Sequence, residues 1–259
     1  MYNPSKRNRN IGTSKQGHGQ NNKMSIPYSF EVGKEFYERL GNYSKKVEII
    51  NGHEFYFIIE ETRKTSMHAC SVEEVVTILK ELPVEDFGEL KLIIFRQPKR
   101  KEEILSSVWG RLIYSFNFEG NYYPAIILDA INYETRFKWK KNLSIESQKE
   151  LSRLRLDGHN IIDTGRFYEA DYELDFVRNT QLYRTLLHEL GHYVQYLNVV
   201  GRPADKEEDE DYEEKDIALE NYFRIPSIEK ERFAHNYADQ MKIKLESRKV
   251  IPFDRKEKY

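Results

Sequence analysis

A single cysteine, Cys70, stands in 259 residues, so no intramolecular disulfide can staple the fold, and a reducing compartment suits the chain. No segment approaches the apolar length needed to span a bilayer. The N-terminus is basic but has none of the apolar run of a secretory signal. The expectation is a cytoplasmic protein with no membrane partner. Acid is missing from residues 1–26, which carry five Lys/Arg among Gly, Asn, Ser and Gln. Such a segment buries too little apolar surface to order itself and is expected to be a disordered basic tail. Beyond Tyr2 it has no aromatic residue on which a base could stack. The other basic cluster, Arg96 to Lys101, is short and reads as a solvated strand end, so nucleic acid is not the expected partner.

The rest is ordinary for a soluble globular chain, with 39% hydrophobic and 32% charged residues and 18 tyrosines. Apolar spacing in "IPYSFEVGKEFYERL" predicts a helix starting near Val32. "KKVEIINGHEFYFIIEE" divides at Asn51-Gly52, the pair that a tight β-hairpin turn favours. Ser71 as N-cap, Glu74 three residues on and Pro83 beyond the end frame a short helix. A strand "LKLIIFRQ" and a helix "KEEILSSVW" follow, then a second hairpin turning at Glu119-Gly120-Asn121. Residues 139–155 read as a helix that is polar on one side, and the turn-rich stretch after it as a surface loop. Two long helices come last, over about 178–199 and 227–248, the second after Pro226. Between them residues 205–216 carry nine acids and two lysines and are expected to form a solvated loop. The chain thus divides into the tail, an N-terminal α/β portion over 27–100 open to reading as a subdomain, and a portion over 101–259.

The chemistry concentrates in "RTLLHELGHYVQYL", residues 184–197. His188 and His192, four apart, fall on one helix face and can aim their nitrogens at a common point, half of a tetrahedral zinc site. Glu189 lies about 100° round the helix, placed to act as general base on a water at the open position. A bare H-E-x-x-H match is only moderately specific. Leu186, Leu187, Leu190 and Val194 around it predict at least half burial, where unpaired imidazoles are costly. Gly191 is expected to let a strand or substrate backbone approach closely. A third ligand is needed. Asp205 is the weaker choice, beyond a Gly-Arg-Pro break. In "SIEKERFAHNYADQMKIKL", Glu231 shares a face with Ala234, Ala238, Met241 and Leu245. A carboxylate on such a stripe must be paired, protonated or bound to a metal. His235, one turn on, is the rival.

"HELGH", followed 39 residues after its last histidine by "ERFAHNYA", resembles the zincin metallopeptidases of the gluzincin branch. The later segment is similar to those of lethal-factor-like and ImmA/IrrE-like peptidases. The resemblance spans roughly residues 180–240. It implies an α+β, zincin-like fold with a mixed, mostly antiparallel sheet, the HExxH helix packed beneath it and a C-terminal helical part. It implies Zn2+ held by His188, His192 and Glu231, with Glu189 as catalytic base for hydrolysing a protein or peptide substrate. An edge strand upstream would pair with that substrate, and residues 122–130 are the nearest equivalent. The metzincin continuation is excluded, because positions 195 and 198 are Gln195 and Asn198. Many gluzincins carry Asp or Asn where this chain has His235, which leaves Asp239 as the candidate partner for a zinc histidine. Tyr222, Arg224 and Tyr237 are candidate oxyanion donors. The alternative is a non-catalytic binding or regulatory module on the same fold.

Overall fold

In the computed structural model, which describes residues 35, 37–105, 109–202 and 212–256, two tight turns organise the sheet. Strands β1 (Tyr43–Ile50) and β2 (His53–Glu60) pair antiparallel across Asn51 and Gly52, whose φ angles of 52° and 85° are both positive, as this hairpin turn demands. After β3 (Ser66–Met67) comes α1 (Val72–Leu79), which starts in a complete Ser71/Glu74 capping box. Strand β4 (Leu92–Arg96) is buried along its whole length and parallel to its neighbours, as its unbroken apolar run requires. Helix α2 (Arg100–Leu105) leads into β5 (Gly110–Phe118) and β6 (Asn121–Asp129), joined at Glu119-Gly120 with φ of 52° and 86°. The strand order is β1-β2-β4-β6-β5, so strands from both sides of residue 100 share one sheet, and residues 40–259 form one compact unit.

Strand β5 is kinked where Tyr114 and Ser115 stand against Pro124 of β6, between the pairs Ile113↔Ala125 and Phe116↔Tyr123. Proline has no N–H for the ladder, and a bulge opposite it accommodates the gap. Two small sheets complete the β structure. Strand β7 (Ile131–Asn132) pairs with β3, and β8 (Arg136–Lys140), β9 (Ile162–Asp163) and β10 (Phe167–Asp171) run in the order β8-β10-β9. Among the described residues antiparallel pairings outnumber parallel ones five to two, which makes the fold α+β with mixed, mostly antiparallel sheets.

The second small sheet corrects two expectations. Residues 139–140 are strand, because Phe137 and Trp139 alternate with Arg136, Lys138 and Lys140 at a period of two. Helix α3 begins only at Ile145, after the Ser144 cap, and runs to Leu156. The stretch expected to be loop holds β9 and β10, because Gly165-Arg166 is a hairpin turn rather than the middle of a coil.

Helical structure then begins at Leu174, four residues before its expected start, and continues as one rod. It comprises α4 (Leu174–Thr180), a wide π turn (Gln181–Thr185), α5 (Leu186–Tyr196) and a second π turn (Leu197–Gly201). Helix α6 (Tyr212–Arg224) takes up the last five residues of the acidic run expected to be loop. Acids near a helix N-terminus complement its dipole, and the fully buried Tyr222 anchors the other end. The rest of that run, including Asp205, lies outside the described residues, as do the basic tail and the start of the helix expected near Val32, whose described residues 37–40 are a turn and irregular backbone rather than helix. Helix α7 (Ser227–Ser247) follows Pro226 as expected. Among the described residues no helix is long and apolar enough to cross a membrane.

Helix α5 lies between β5 and β6 on one side and α7 on the other. Its Leu186, Leu187 and Leu190 are fully buried, each contributing about 1.5–3 kcal/mol. Gly191 faces α7, where a Cβ would sit 3.0 Å from both Cα and O of Ala234. The backbone that Gly191 admits is therefore this helix, not a strand or a substrate. Asp86 fastens the assembly, accepting from Tyr237 of α7 at 2.8 Å and from Arg202 at 2.9 Å. The buried Arg178–Glu74 pair, 2.7 Å apart, ties α4 to α1.

His159 is buried among the rings of Trp109, Phe137 and Phe176. Its Nε2 lies 3.0 Å from the Thr180 hydroxyl, which itself donates to Asp157. Burial pushes its pKa down to about 4. Below the unfolded value near 6.5 the unfolded chain takes a proton that the folded chain refuses. Its stabilisation is therefore complete above pH 6.5 and falls away towards pH 4, by on the order of 2 kcal/mol. Urea midpoints across this range should fall less steeply for His159→Gln than for the wild type; equal slopes would remove His159 from the acid response.

Candidate metal centre

Positions 188 and 192 fall on the face of α5 that meets α7, and their side chains are only 14% and 13% exposed. The two Nε2 atoms are 3.1 Å apart, with the rings nearly perpendicular at 84°. Glu231, in the second turn of α7, reaches across the helix interface. Its Oε2 is 3.3 Å from His188 Nε2 and its Oε1 is 3.4 Å from His192 Nε2. Hydrogen bonding by His188 and then His192 holds its carboxyl well below the usual carboxylate range.

Ligand atoms about 2.0–2.1 Å from a tetrahedral zinc stand about 3.3 Å from one another. The three observed separations match that spacing, so the residues present fit the ion. Two neutral imidazoles and one carboxylate also carry the donor types and charge that zinc takes in open sites. One detail differs from a fully supported site. His188 Nδ1 is buried without a hydrogen-bond partner among the described residues, and Asp239 sits exposed on the cleft wall without bonding either imidazole. The expected stripe on α7 is present, with Ala234, Ala238 and Leu245 buried. Glu231 is not part of its buried section, being 54% exposed where the stripe opens to the cleft.

No family model, curated protein or solved structure matches the chain.

A cleft of about 960 Å³ opens beside the cluster, lined by His188, Glu189, Glu231 and His235 but not by His192. The cleft thus meets the cluster at His188 and Glu231. Glu189 accepts a 2.8 Å hydrogen bond from the Leu112 backbone N–H of β5. Burial raises its pKa, against the pull of His188 and His192. Strand β6, which contains most of residues 122–130, is paired on both sides and cannot receive an extended substrate; the edge strand is β5, whose Gly110 also lines the cleft. Residues 124–129 of β6 are buried, as its place between β4 and β5 requires.

His235 also stands in the cleft, its ring 4.3 Å from that of His188 and its Nε2 3.9 Å from Glu231 Oε2. Burial, then the neighbouring His188, lowers its pKa to about 4. His188, Glu231 and His235 form a second grouping whose donor atoms all lie within 4.8 Å of one another. The three oxyanion candidates are engaged elsewhere. Tyr222 is fully buried, sharing a 2.6 Å hydrogen bond with Tyr114. Tyr237 donates to Asp86, and Arg224 pairs with Glu220 on the surface. Sequence reasoning missed part of the cleft lining, Phe137 and Trp139 of β8 with Arg153 of α3 and Arg184. The alternation in "RFKWK" and the placing of Arg184 one turn before His188 were its available signals.

Proposed function

We propose that the chain is a zinc-dependent peptidase, zincin-like with a gluzincin-type ligand set, that hydrolyses peptide bonds in a protein substrate. The observation that carries this reading is the meeting of His188, His192 and Glu231 at 3.1–3.4 Å beside a cleft that Glu189 also lines. Bound there, zinc would polarise the scissile carbonyl and acidify a water. His188 and His192 supply neutral nitrogens from one rigid helix, and Glu231 supplies the negative charge from another. Glu189, whose proton affinity burial has raised, takes the proton from the attacking water and passes it to the leaving amine. The edge of β5 offers backbone with which an extended peptide can pair. The cleft is at the upper end of sizes typical of ligand sites. A cytoplasmic location suits a chain whose one thiol, Cys70, is buried and free.

One observation favours the second reading, a non-catalytic module: the Glu189 carboxylate already has a backbone partner in Leu112. Metal analysis together with an unfolded-protein substrate separates the two. The peptidase reading predicts about one zinc per chain, hydrolysis of unfolded casein, loss of cleavage on chelation and recovery with zinc. Equimolar zinc with no hydrolysis of casein or a peptide library would favour the module, and a chain that takes up no zinc would end both zinc readings.

A further inference from the structure

We infer that His235 is a fourth, displaceable protein ligand, one that closes the metal centre at rest and yields its position to substrate. The inference rests on the metal-binding half of the function proposed above. A tetrahedral site holds four donors, and a catalytic one normally keeps the fourth position open. Three corners are occupied by His188 Nε2, His192 Nε2 and a Glu231 oxygen. The cleft that could supply the fourth donor is lined by His188 and Glu231. His235 lines it as well.

Its Nε2 is 3.9 Å from Glu231 Oε2, about half an ångström beyond the edge of a zinc tetrahedron and too far for a hydrogen bond. Neither ring nitrogen has a hydrogen-bond partner among the described residues, so no bond must be broken to bring the ring in. Its donor atom also lies within 4.8 Å of that of His188, so the ring has to move in towards the other ligands to complete the site. Glu231 and His235 are one turn apart on α7, so a single helix presents both, as α5 presents the other pair. The longer reach makes this imidazole the weakest of the four donors, and the one an incoming carbonyl or anion replaces. Arriving ligand therefore competes with the chain's own side chain.

Cobalt(II) loaded one-to-one into the full chain tests this. X-ray absorption should count three imidazoles in the wild type and two in His235→Ala. Acetohydroxamate, titrated against the cobalt d–d bands, should bind about tenfold more tightly to His235→Ala if the open form is about a tenth of the resting population. His235→Asn, polar but too short to reach the ion, should behave like the alanine variant. Two imidazoles in the wild type would overturn the inference without a mutant being made, as would unchanged acetohydroxamate affinity in variants that hold cobalt. A wild-type chain that binds neither cobalt nor zinc gives a different result, the failure of the metal reading itself.

Discussion

Glu189→Gln should lower turnover about a thousandfold while zinc content and fold stay as they are. Glutamine keeps an oxygen to accept the Leu112 N–H that Glu189 now binds at 2.8 Å, so the contact between α5 and β5 survives. It cannot take a proton. It also removes a carboxylate whose burial already opposes ionisation, so the variant should be as stable as the wild type or slightly more so. His188→Ala and Glu231→Ala serve as controls, because each should lose metal and turnover together. Turnover in Glu189→Gln within a few-fold of wild type, with zinc retained, would remove Glu189 from the chemistry.

Gly191→Val should be the most damaging single change away from the ligands. Its Cβ would lie 3.0 Å from Cα and O of Ala234 and 3.1 Å from Cβ of Tyr237, most of it backbone that cannot rotate aside. Two further methyls add to the overlap. The helix-propensity gain over glycine is only a few tenths of a kcal/mol, whereas overpacking costs about 1–3 kcal/mol and more when backbone must move. Glu231 lies one turn before Ala234, so a shift of α7 carries its carboxylate away from both imidazoles. We expect a loss of about 3 kcal/mol in urea unfolding and at least tenfold weaker zinc in chelator competition. Native values of both would show that the helices can part at no cost to the site.

What could be read in advance follows from how local each signal is. Asn51-Gly52, the Ser71/Glu74 box and Pro226 each act within one turn of chain, and each marks the boundary it predicts. The four-residue spacing of His188 and His192 carries their convergence in the same way. The errors lie where partners decide. That β6 is interior and β5 the edge depends on the parallel pairing of β4 with β6, which no short pattern in either strand announces. Residues 136–140, 162–163 and 167–171 pair with one another, and the two-residue β9 carries no pattern of its own. The inward face of α7 was legible from its alanines, but the exposure of Glu231 at 54% was not. Its partners are 39 and 43 residues away on another helix, and the cleft between them belongs to neither sequence segment. Tyr222 and Tyr237 were candidates by proximity in sequence, yet their hydroxyls bind Tyr114 and Asp86, more than a hundred residues distant.

The two π turns that bracket α5 each lodge one residue more than regular winding would. Because each residue advances the helix by about 100°, shortening either turn by one would re-phase the rod on that side without altering any side chain in the centre. The histidine pair is thus mounted between two joints whose length sets its aim, and insertion or deletion there would retune the direction in which the imidazoles point.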